Sequence, residues 1–126
     1  MAGNPVAVLI VDDQKPFRHA ARAVVSATPG FEVVDEAESG EEAIELVDRL
    51  VPGLVLMDIN MPGISGIEAA RHITGEHPEV VVMLLSTYQA ADLPRDARDC
   101  GAAAYVNKED FGPKVMQDLW AGHGAS

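Results

Sequence analysis

Four short polar segments of the sequence carry side chains that could do chemistry together. Each comes directly after an apolar run, and together they are Asp12-Asp13, Asp58, Ser86-Thr87 and Asn107-Lys108. Carboxylates are ligands for Mg²⁺, and a metal ion, a lysine and a hydroxyl can neutralise the oxygens of a phosphoryl group during its transfer. A carboxylate can also be the nucleophile and form an aspartyl phosphate. Asp58 is the best candidate for that nucleophile.

Five apolar runs of strand length precede these segments or lie between them. Three are unbroken, as is typical of strands buried on both faces of a sheet: Val6–Val11, Leu54–Met57 and Val80–Leu85. Two are shorter and weaker: Phe31–Asp35 and Ala103–Val106. Apolar residues at helical spacing, or a plausible cap, predict helices near 16–28, 40–50, 66–76, 93–100 and 113–121. The order βαβαβαβαβα predicts a parallel sheet covered by helices on both faces.

In a parallel sheet of this kind the ligand site lies beyond the carboxyl ends of the strands, where the direction of the connections reverses. If the strand order is 2-1-3-4-5, the first and third strands are neighbours, and Asp12, Asp13 and Asp58 must crowd together. Two like charges about 4 Å apart repel by roughly 4 kcal/mol at an effective dielectric constant of 20. A cation should compensate them, and the charges of three carboxylates, Mg²⁺ and Lys108 sum to zero. The sequence therefore predicts a magnesium site at this edge of the sheet.

Four blocks of the sequence, taken together and at matching spacing, resemble the signature of two-component response-regulator receiver domains. The blocks are Asp12-Asp13, Asp58–Gly66 (DINMPGISG), Ser86-Thr87 and Tyr105–Lys108 (YVNK), and the similarity extends over about residues 6–121. The stretches 31–37 and 101–105 are most similar to the subfamily whose members usually carry a C-terminal LuxR-type helix-turn-helix. The resemblance implies an α/β, doubly wound (βα)5 flavodoxin-like fold with a five-stranded parallel sheet of order 2-1-3-4-5. It also implies that residues 1–126 form a single receiver domain.

The resemblance implies a phosphorelay function and a metal site. Asp58 would accept a phosphoryl group from a sensor histidine kinase or a phosphotransfer protein. Asp12, Asp13 and Asp58 would bind Mg²⁺ or Mn²⁺, and the backbone carbonyl of Asn60 would complete the protein ligands. The chain is not expected to be an enzyme toward external substrates, although slow hydrolysis of its own aspartyl phosphate is expected.

The remaining roles implied by the resemblance concern the switch. Ser86 would bond a phosphoryl oxygen, and Lys108 would form an ion pair with the phosphoryl group. Tyr105 matches an aromatic residue that turns inward when the hydroxyl position moves toward the phosphate. Asn60 and Tyr88 flank the site and should influence the lifetime of the phosphorylated state. The output surface would comprise the fourth helix, fifth strand and fifth helix, around residues 86–121. It would contact an output protein or form a homodimer, for which the first and fifth helices are a second possible surface.

Three departures limit the analogy. Glu109 follows Lys108 where many receiver domains have proline, so a cis peptide bond is not expected there. Asp92-Leu93-Pro94 would delay the start of the fourth helix, because proline is tolerated only in a first helical turn. The partner contact could then differ from the usual one of the family. The chain also ends at Ser126, too soon after the predicted fifth helix to supply a helix-turn-helix. It is expected to be either a single-domain regulator or one from which the DNA-binding half has been removed.

Composition excludes several classes of protein. The 20 acidic and 9 basic residues give a net charge of −11, which disfavours direct binding to nucleic acids and to anionic membranes. No apolar run approaches the roughly 18 residues of a membrane span, and the N-terminus lacks the features of a signal peptide. The single cysteine, Cys100, cannot form an internal disulfide. These observations together predict a cytoplasmic location.

Two other classes of function are alternatives to the phosphorelay hypothesis. A magnesium-dependent phosphatase with an aspartate nucleophile commonly has a second acid two residues later, where this chain has Asn60. A phosphorylation-independent binding module is disfavoured by the intact acids, hydroxyl and lysine. Taken singly, Asp12 or Asp13 could be a helix cap, and Tyr105 could pack simply as core.

Overall fold

A computed structural model describes residues 5–87 and 100–123. In this part of the chain the strands are β1 (Val6–Val11), β2 (Phe31–Ala37), β3 (Leu54–Asp58), β4 (Val81–Ser86) and β5 (Ala104–Asn107). The helices are α1 (Lys15–Ala27), α2 (Gly40–Leu50), α3 (Gly66–Glu76) and a C-terminal helix (Pro113–His123), and a 3₁₀ turn spans Lys108–Asp110. The positions of all five predicted strands and of four predicted helices are confirmed. The segment Asp92–Pro94 lies outside the described residues, and so does the helix predicted near 93–100 apart from its last residue.

The five strands form one parallel sheet of order β2-β1-β3-β4-β5, which confirms the predicted topology. The sheet reverses its direction of winding between β1 and β3. The pairing of Val11 with Met57 brings the ends of these two strands to the same level. The place where the connections reverse direction, which is the predicted ligand site, therefore lies beside the acids that follow β1 and end β3.

Alternate residues of the central strands point to opposite faces of the sheet, so each strand contributes to two cores. The first core packs under α2 and α3 and contains Leu9, Val55 and Leu84. The second core contains Ile10 and Leu56 and packs under α1 and the C-terminal helix. This two-sided burial explains why the central strands read as unbroken apolar runs.

The edge strand β2 has a different pattern, in which exposed and half-buried residues alternate over its first half. Its aromatic residue, Phe31, packs edge-on against Trp120 of the C-terminal helix, with 6.1 Å between ring centroids. No helix in residues 5–87 and 100–123 is long and apolar enough to cross a membrane.

Serine caps the N-termini of two helices. The hydroxyl of Ser39 accepts a hydrogen bond from the backbone N–H of Glu42 at the start of α2, and Ser65 accepts one from Glu68 at the start of α3. Each cap satisfies a backbone donor that the helix itself cannot pair. The cap at Ser65 also fixes where α3 begins relative to Asp58, seven residues earlier in the chain.

Replacing Ser65 by alanine should lower the free energy of unfolding by about 1 kcal/mol, because the substitution leaves a first-turn N–H without its partner. Urea denaturation followed by circular dichroism measures this change. The control is Ser26→Ala, since Ser26 is exposed within α1, where alanine is favoured. A Ser65 variant as stable as the Ser26 variant would contradict the capping role.

Candidate functional site

The ends of β1 and β3 bring three carboxylates together. Asp12 follows β1 directly, Asp58 is the last residue of β3, and Asp13 comes next to Asp12. One oxygen from each of these three carboxylates lies within 4.8 Å of the others. Asp12 and Asp58 are buried, whereas Asp13 is exposed at the mouth of the cluster. The structure thus brings together the acids that the sequence places at separate strand ends.

Lys108 supplies a positive charge among these acids. It begins the 3₁₀ turn after β5, and its Nζ lies 2.6 Å from Asp12 Oδ2 and 3.4 Å from Asp58 Oδ1. The same Nζ lies 4.4 Å from the centroid of the Phe17 ring, within the range of a cation–π contact. Phe17 in turn packs against Phe111, with 6.4 Å between ring centroids. The lysine is therefore held between two buried carboxylates and an aromatic wall.

The surroundings of Asp58 make its carboxyl harder to ionise than a carboxyl in water. Burial raises the pKa of the Asp58 carboxyl from 3.8 to about 6, and the neighbouring Asp12 carboxylate acts in the same direction. Lys108 and a hydrogen bond from the backbone N–H of Asn60 oppose this rise in pKa. Lys108 does not fully offset the combined effect of burial and of Asp12 on this carboxyl, so the cluster is suited to a second cation.

The chemistry of the donors fits a small divalent cation. All three are hard carboxylate oxygens, which Mg²⁺ prefers, and the exposed carboxylate of Asp13 leaves the cluster open to solvent on one side. Asn60 lies in the loop directly after Asp58 and Ile59, so its backbone is near the same edge of the sheet. These residues could hold Mg²⁺ or Mn²⁺ while leaving positions for water or a phosphate oxygen.

Ser86 lies at the same edge of the sheet. It is buried at the end of β4, one residue beyond Leu85, which pairs with Asp58 in the sheet. Its neighbour Thr87 is exposed. The structure therefore brings the Ser86 hydroxyl position next to the strand that carries Asp58.

The two aromatic candidates differ in what can be described. Tyr105 is half-buried in β5 and packs against the core under α2 and α3. Its register partner in β4 is Leu84. Tyr88 lies outside the described residues. Tyr105 thus lies at the boundary of this core, and β4 separates its strand from the strand of Asp58.

The loop between β3 and α3 is built to bring the start of α3 close to Asp58. Gly63 has a φ of +83°, and the Glu41 carboxylate accepts a hydrogen bond from the N–H of Ile64 at 3.3 Å. Gly66 donates its N–H to the carbonyl of Ile59 at 2.9 Å. A Cβ on Gly66 would lie 2.0 Å from the carbonyl oxygen of Asp58, so this approach is possible only for glycine.

Two residues beside the site were not singled out from the sequence: Phe17, which contacts Lys108, and Arg18. Arg18 is buried, and its Nη1 donates to the backbone carbonyl of Asp12 at 2.7 Å. A signal for Arg18 was available, because residues 18, 21 and 25 follow helical spacing and the latter two are apolar. A charged residue on the apolar stripe of a helix is unusual enough to require a buried partner.

Comparison with known proteins places the chain in a family. The family model described as the response regulator receiver domain matches residues 8–119. The transcriptional regulatory protein DegU of Brevibacillus brevis is 38% identical over 106 residues, which are 84% of this chain and 45% of DegU. A protein-glutamate methylesterase/protein-glutamine glutaminase of Photobacterium profundum is 40% identical over 115 residues, which are 90% of this chain and 28% of that protein. The chain thus spans less than half the length of these two relatives.

A solved structure supports the same assignment. The two-component response regulator of the LuxR family from Aurantimonas sp. SI85-9A1 superposes with a TM-score of 0.85 at 30% sequence identity. The superposition covers 95% of this chain and 88% of that one. The observed strand order, the acidic cluster at the ends of β1 and β3 and the family match agree. The chain belongs to the response regulator receiver domain family of two-component signalling proteins.

Proposed function

We propose that this chain is a phosphorylatable switch in which Asp58 accepts the phosphoryl group. The observation that carries the proposal is the position of Asp58: its carboxylate ends a central strand, 3.4 Å from Lys108 Nζ and within 4.8 Å of two other acids. No purely structural role requires three acids and one lysine at the ends of separate strands. A phosphoryl-transfer site requires this combination of charges.

In the proposed reaction a carboxylate oxygen of Asp58 attacks phosphorus. A new O–P bond forms, and the bond from phosphorus to the histidine nitrogen of a kinase or phosphotransfer protein breaks. Asp58 must be ionised to attack, and Lys108 favours that form. A divalent cation held by Asp12, Asp13, Asp58 and the carbonyl of Asn60 would neutralise charge on the phosphoryl oxygens.

Lys108 and Ser86 would bind the product. The Lys108 side chain is 13% exposed and already lies between Asp12 and Asp58, so a small movement would bring its ammonium to a phosphoryl oxygen. The Ser86 hydroxyl, at the end of the adjacent strand β4, would contact another phosphoryl oxygen. The proposal therefore gives Asp12, Asp13, Asp58, Ser86 and Lys108 parts in one reaction.

We further propose that phosphorylation shifts the population between two arrangements of β4 and β5. Ser86 would move toward the phosphoryl group, and Tyr105 would turn further into the core that it already borders. The surface that changes would lie around residues 86–121, part of which lies outside the described residues. Its partner would be an output protein or a second copy of the chain, with residues 1–126 acting as one receiver domain.

Incubating the protein with Mg²⁺ and acetyl phosphate should add one phosphoryl group, detected as a mass increase of the intact protein. The Asp58→Asn variant should show no increase, because the nucleophile is gone, and chelation with EDTA should suppress labelling of the wild type. Asp110→Asn is the matched control, since Asp110 is an exposed acid in the turn that begins with Lys108. Equal labelling of the Asp58→Asn variant would show that the phosphoacceptor is a different residue.

A further inference from the structure

Arg18 connects α1 to the backbone of the acidic pair. Its side chain is 10% exposed, and its Nη1 donates to the carbonyl oxygen of Asp12 at 2.7 Å. Its Nε donates to Glu36 Oε1 at 3.0 Å, and its Nη2 lies 3.8 Å from Glu38 Oε1. Long side chains on a helix point toward its N-terminus, which explains how a residue of the first turn reaches back to Asp12.

Other contacts hold the rest of Asp12. Its carboxylate accepts hydrogen bonds from Lys108 Nζ at 2.6 Å and from the N–H of Gln14 at 2.8 Å. Its own N–H donates to the carbonyl of Ala37 at 3.0 Å. The bond from Arg18 therefore restrains the one remaining polar group of Asp12, its carbonyl.

That carbonyl lies in the same peptide plane as the N–H of Asp13, because the peptide bond is planar. Fixing the carbonyl of Asp12 fixes the rotation of this plane and so the position of the Asp13 Cα, from which the Asp13 side chain leaves the backbone. Asp13 is the exposed member of the three acids, and its orientation depends most on its backbone.

We propose that Arg18 is a positioning residue for the divalent-cation site, and that it acts through the Asp12–Asp13 peptide. This inference rests on the proposed function, since it assumes that the three acids bind a divalent cation. The two hydrogen bonds of Arg18 come from different nitrogens of one planar guanidinium. The guanidinium thereby ties the end of β1 to Glu36 near the end of β2.

Simple electrostatics predicts the opposite effect of removing Arg18. A positive charge near three carboxylates competes with a bound cation, so its loss should strengthen cation binding if charge alone matters. A positioning role predicts weaker binding. The direction of the change therefore separates the two explanations.

The test measures Mg²⁺ and Mn²⁺ affinity by isothermal titration calorimetry on the whole chain. Arg18→Gln should weaken binding by about tenfold, as is typical when a partner of a metal ligand is removed. Arg22→Gln is the matched control. Arg22 lies one turn later in α1 and bonds the same Glu36, at 2.6 Å, but makes no contact with Asp12 among the described residues. The Arg22→Gln variant should bind the cation at least as tightly as the wild type.

Two further variants make the result independent of general destabilisation. Arg18→Lys keeps the charge and the alkyl stem but lacks the planar fork, and we expect it to bind several-fold more weakly than the wild type. It decides the question if Arg18→Gln does not fold, which urea denaturation would reveal. In an Asp13→Asn background, Arg18→Gln should no longer change the affinity, because the residue through which it acts has lost its charge.

Wild-type or tighter affinity in the folded Arg18 variants would overturn the positioning role and leave the proposed function intact. Two other results would count against the proposed function itself. If the wild type shows no saturable binding, or if Asp12→Asn binds as well as the wild type, the acids are not a cation site and the inference fails with it.

Discussion

Replacing Gly66 by alanine should destabilise the domain by about 3 kcal/mol, because the new methyl group has no room. Its Cβ would lie 2.0 Å from the carbonyl oxygen of Asp58, 2.8 Å from the carbonyl carbon and 3.0 Å from the Cα of Ile59. These are backbone atoms of β3 and of the residue after it, so no side-chain rotation can relieve the contact. Either α3 or the end of β3 must move.

Urea denaturation measures the loss, and Gly75→Ala in the same helix is the control. A Cβ on Gly75 meets nothing within 4 Å, so alanine there should raise the free energy of unfolding by about 0.5–1 kcal/mol. The two substitutions make the same chemical change in one helix and should differ in sign. Overpacking usually costs at least about 1 kcal/mol. A Gly66→Ala variant whose free energy of unfolding lies within about 1 kcal/mol of the wild-type value would therefore contradict the tight contact between α3 and β3.

Removing the charge of Asp58 should stabilise the metal-free protein above about pH 6. The pKa of this carboxyl is raised from 3.8 to about 6 by burial and by Asp12, so the folded state holds the proton more tightly than the unfolded chain does. Between these two pH values the free energy of unfolding therefore falls as pH rises. The shift in pKa corresponds to a loss of about 3 kcal/mol in the free energy of unfolding at high pH. This loss is absent below about pH 4, where Asp58 is protonated in both the folded and the unfolded state.

Asp58→Asn cannot ionise and should lose this part of the pH dependence. In EDTA, the stability of the variant relative to the wild type should increase from pH 4 to pH 7, as measured by urea denaturation across the series. Asp110→Asn, which removes an exposed charge, should follow the wild-type slope. Adding Mg²⁺ at pH 7 should reduce the difference in stability between Asp58→Asn and the wild type, because the ion stabilises the wild type. Parallel pH profiles for Asp58→Asn and the wild type would show that Asp58 ionises as an ordinary carboxyl.

Much of the fold follows from local patterns in the sequence. Unbroken apolar runs predict the buried central strands, and Val6–Val11 is observed with the predicted bounds. The edge strand β2 extends two residues beyond its predicted end, through Glu36 to Ala37. Polar residues there belong to the sheet because β1 pairs with them and Arg18 binds Glu36. A pattern based on hydrophobicity could not include them.

The site was predictable where it depends on strand order and unpredictable where it depends on side-chain packing. The convergence of Asp12, Asp13, Asp58 and Lys108 follows from the order 2-1-3-4-5. The contact of Lys108 with Phe17 and the hydrogen bond from Arg18 depend on how α1 lies on the sheet. The role of Asp58 in phosphorylation and the role of Arg18 in cation binding stay predictions, and the variants above test them.

The ion pair between Lys108 and Asp12 has a consequence for synthesis of the chain, since the two residues are 96 positions apart. A ribosome releases β1 and β3 long before it releases β5. Until then the acids lack the ammonium that separates them in the finished domain, and the open edge of β4 has no partner strand. Compact but incomplete intermediates should therefore have a loosely ordered carboxyl edge, and the last strand to emerge completes both the sheet and the charge balance.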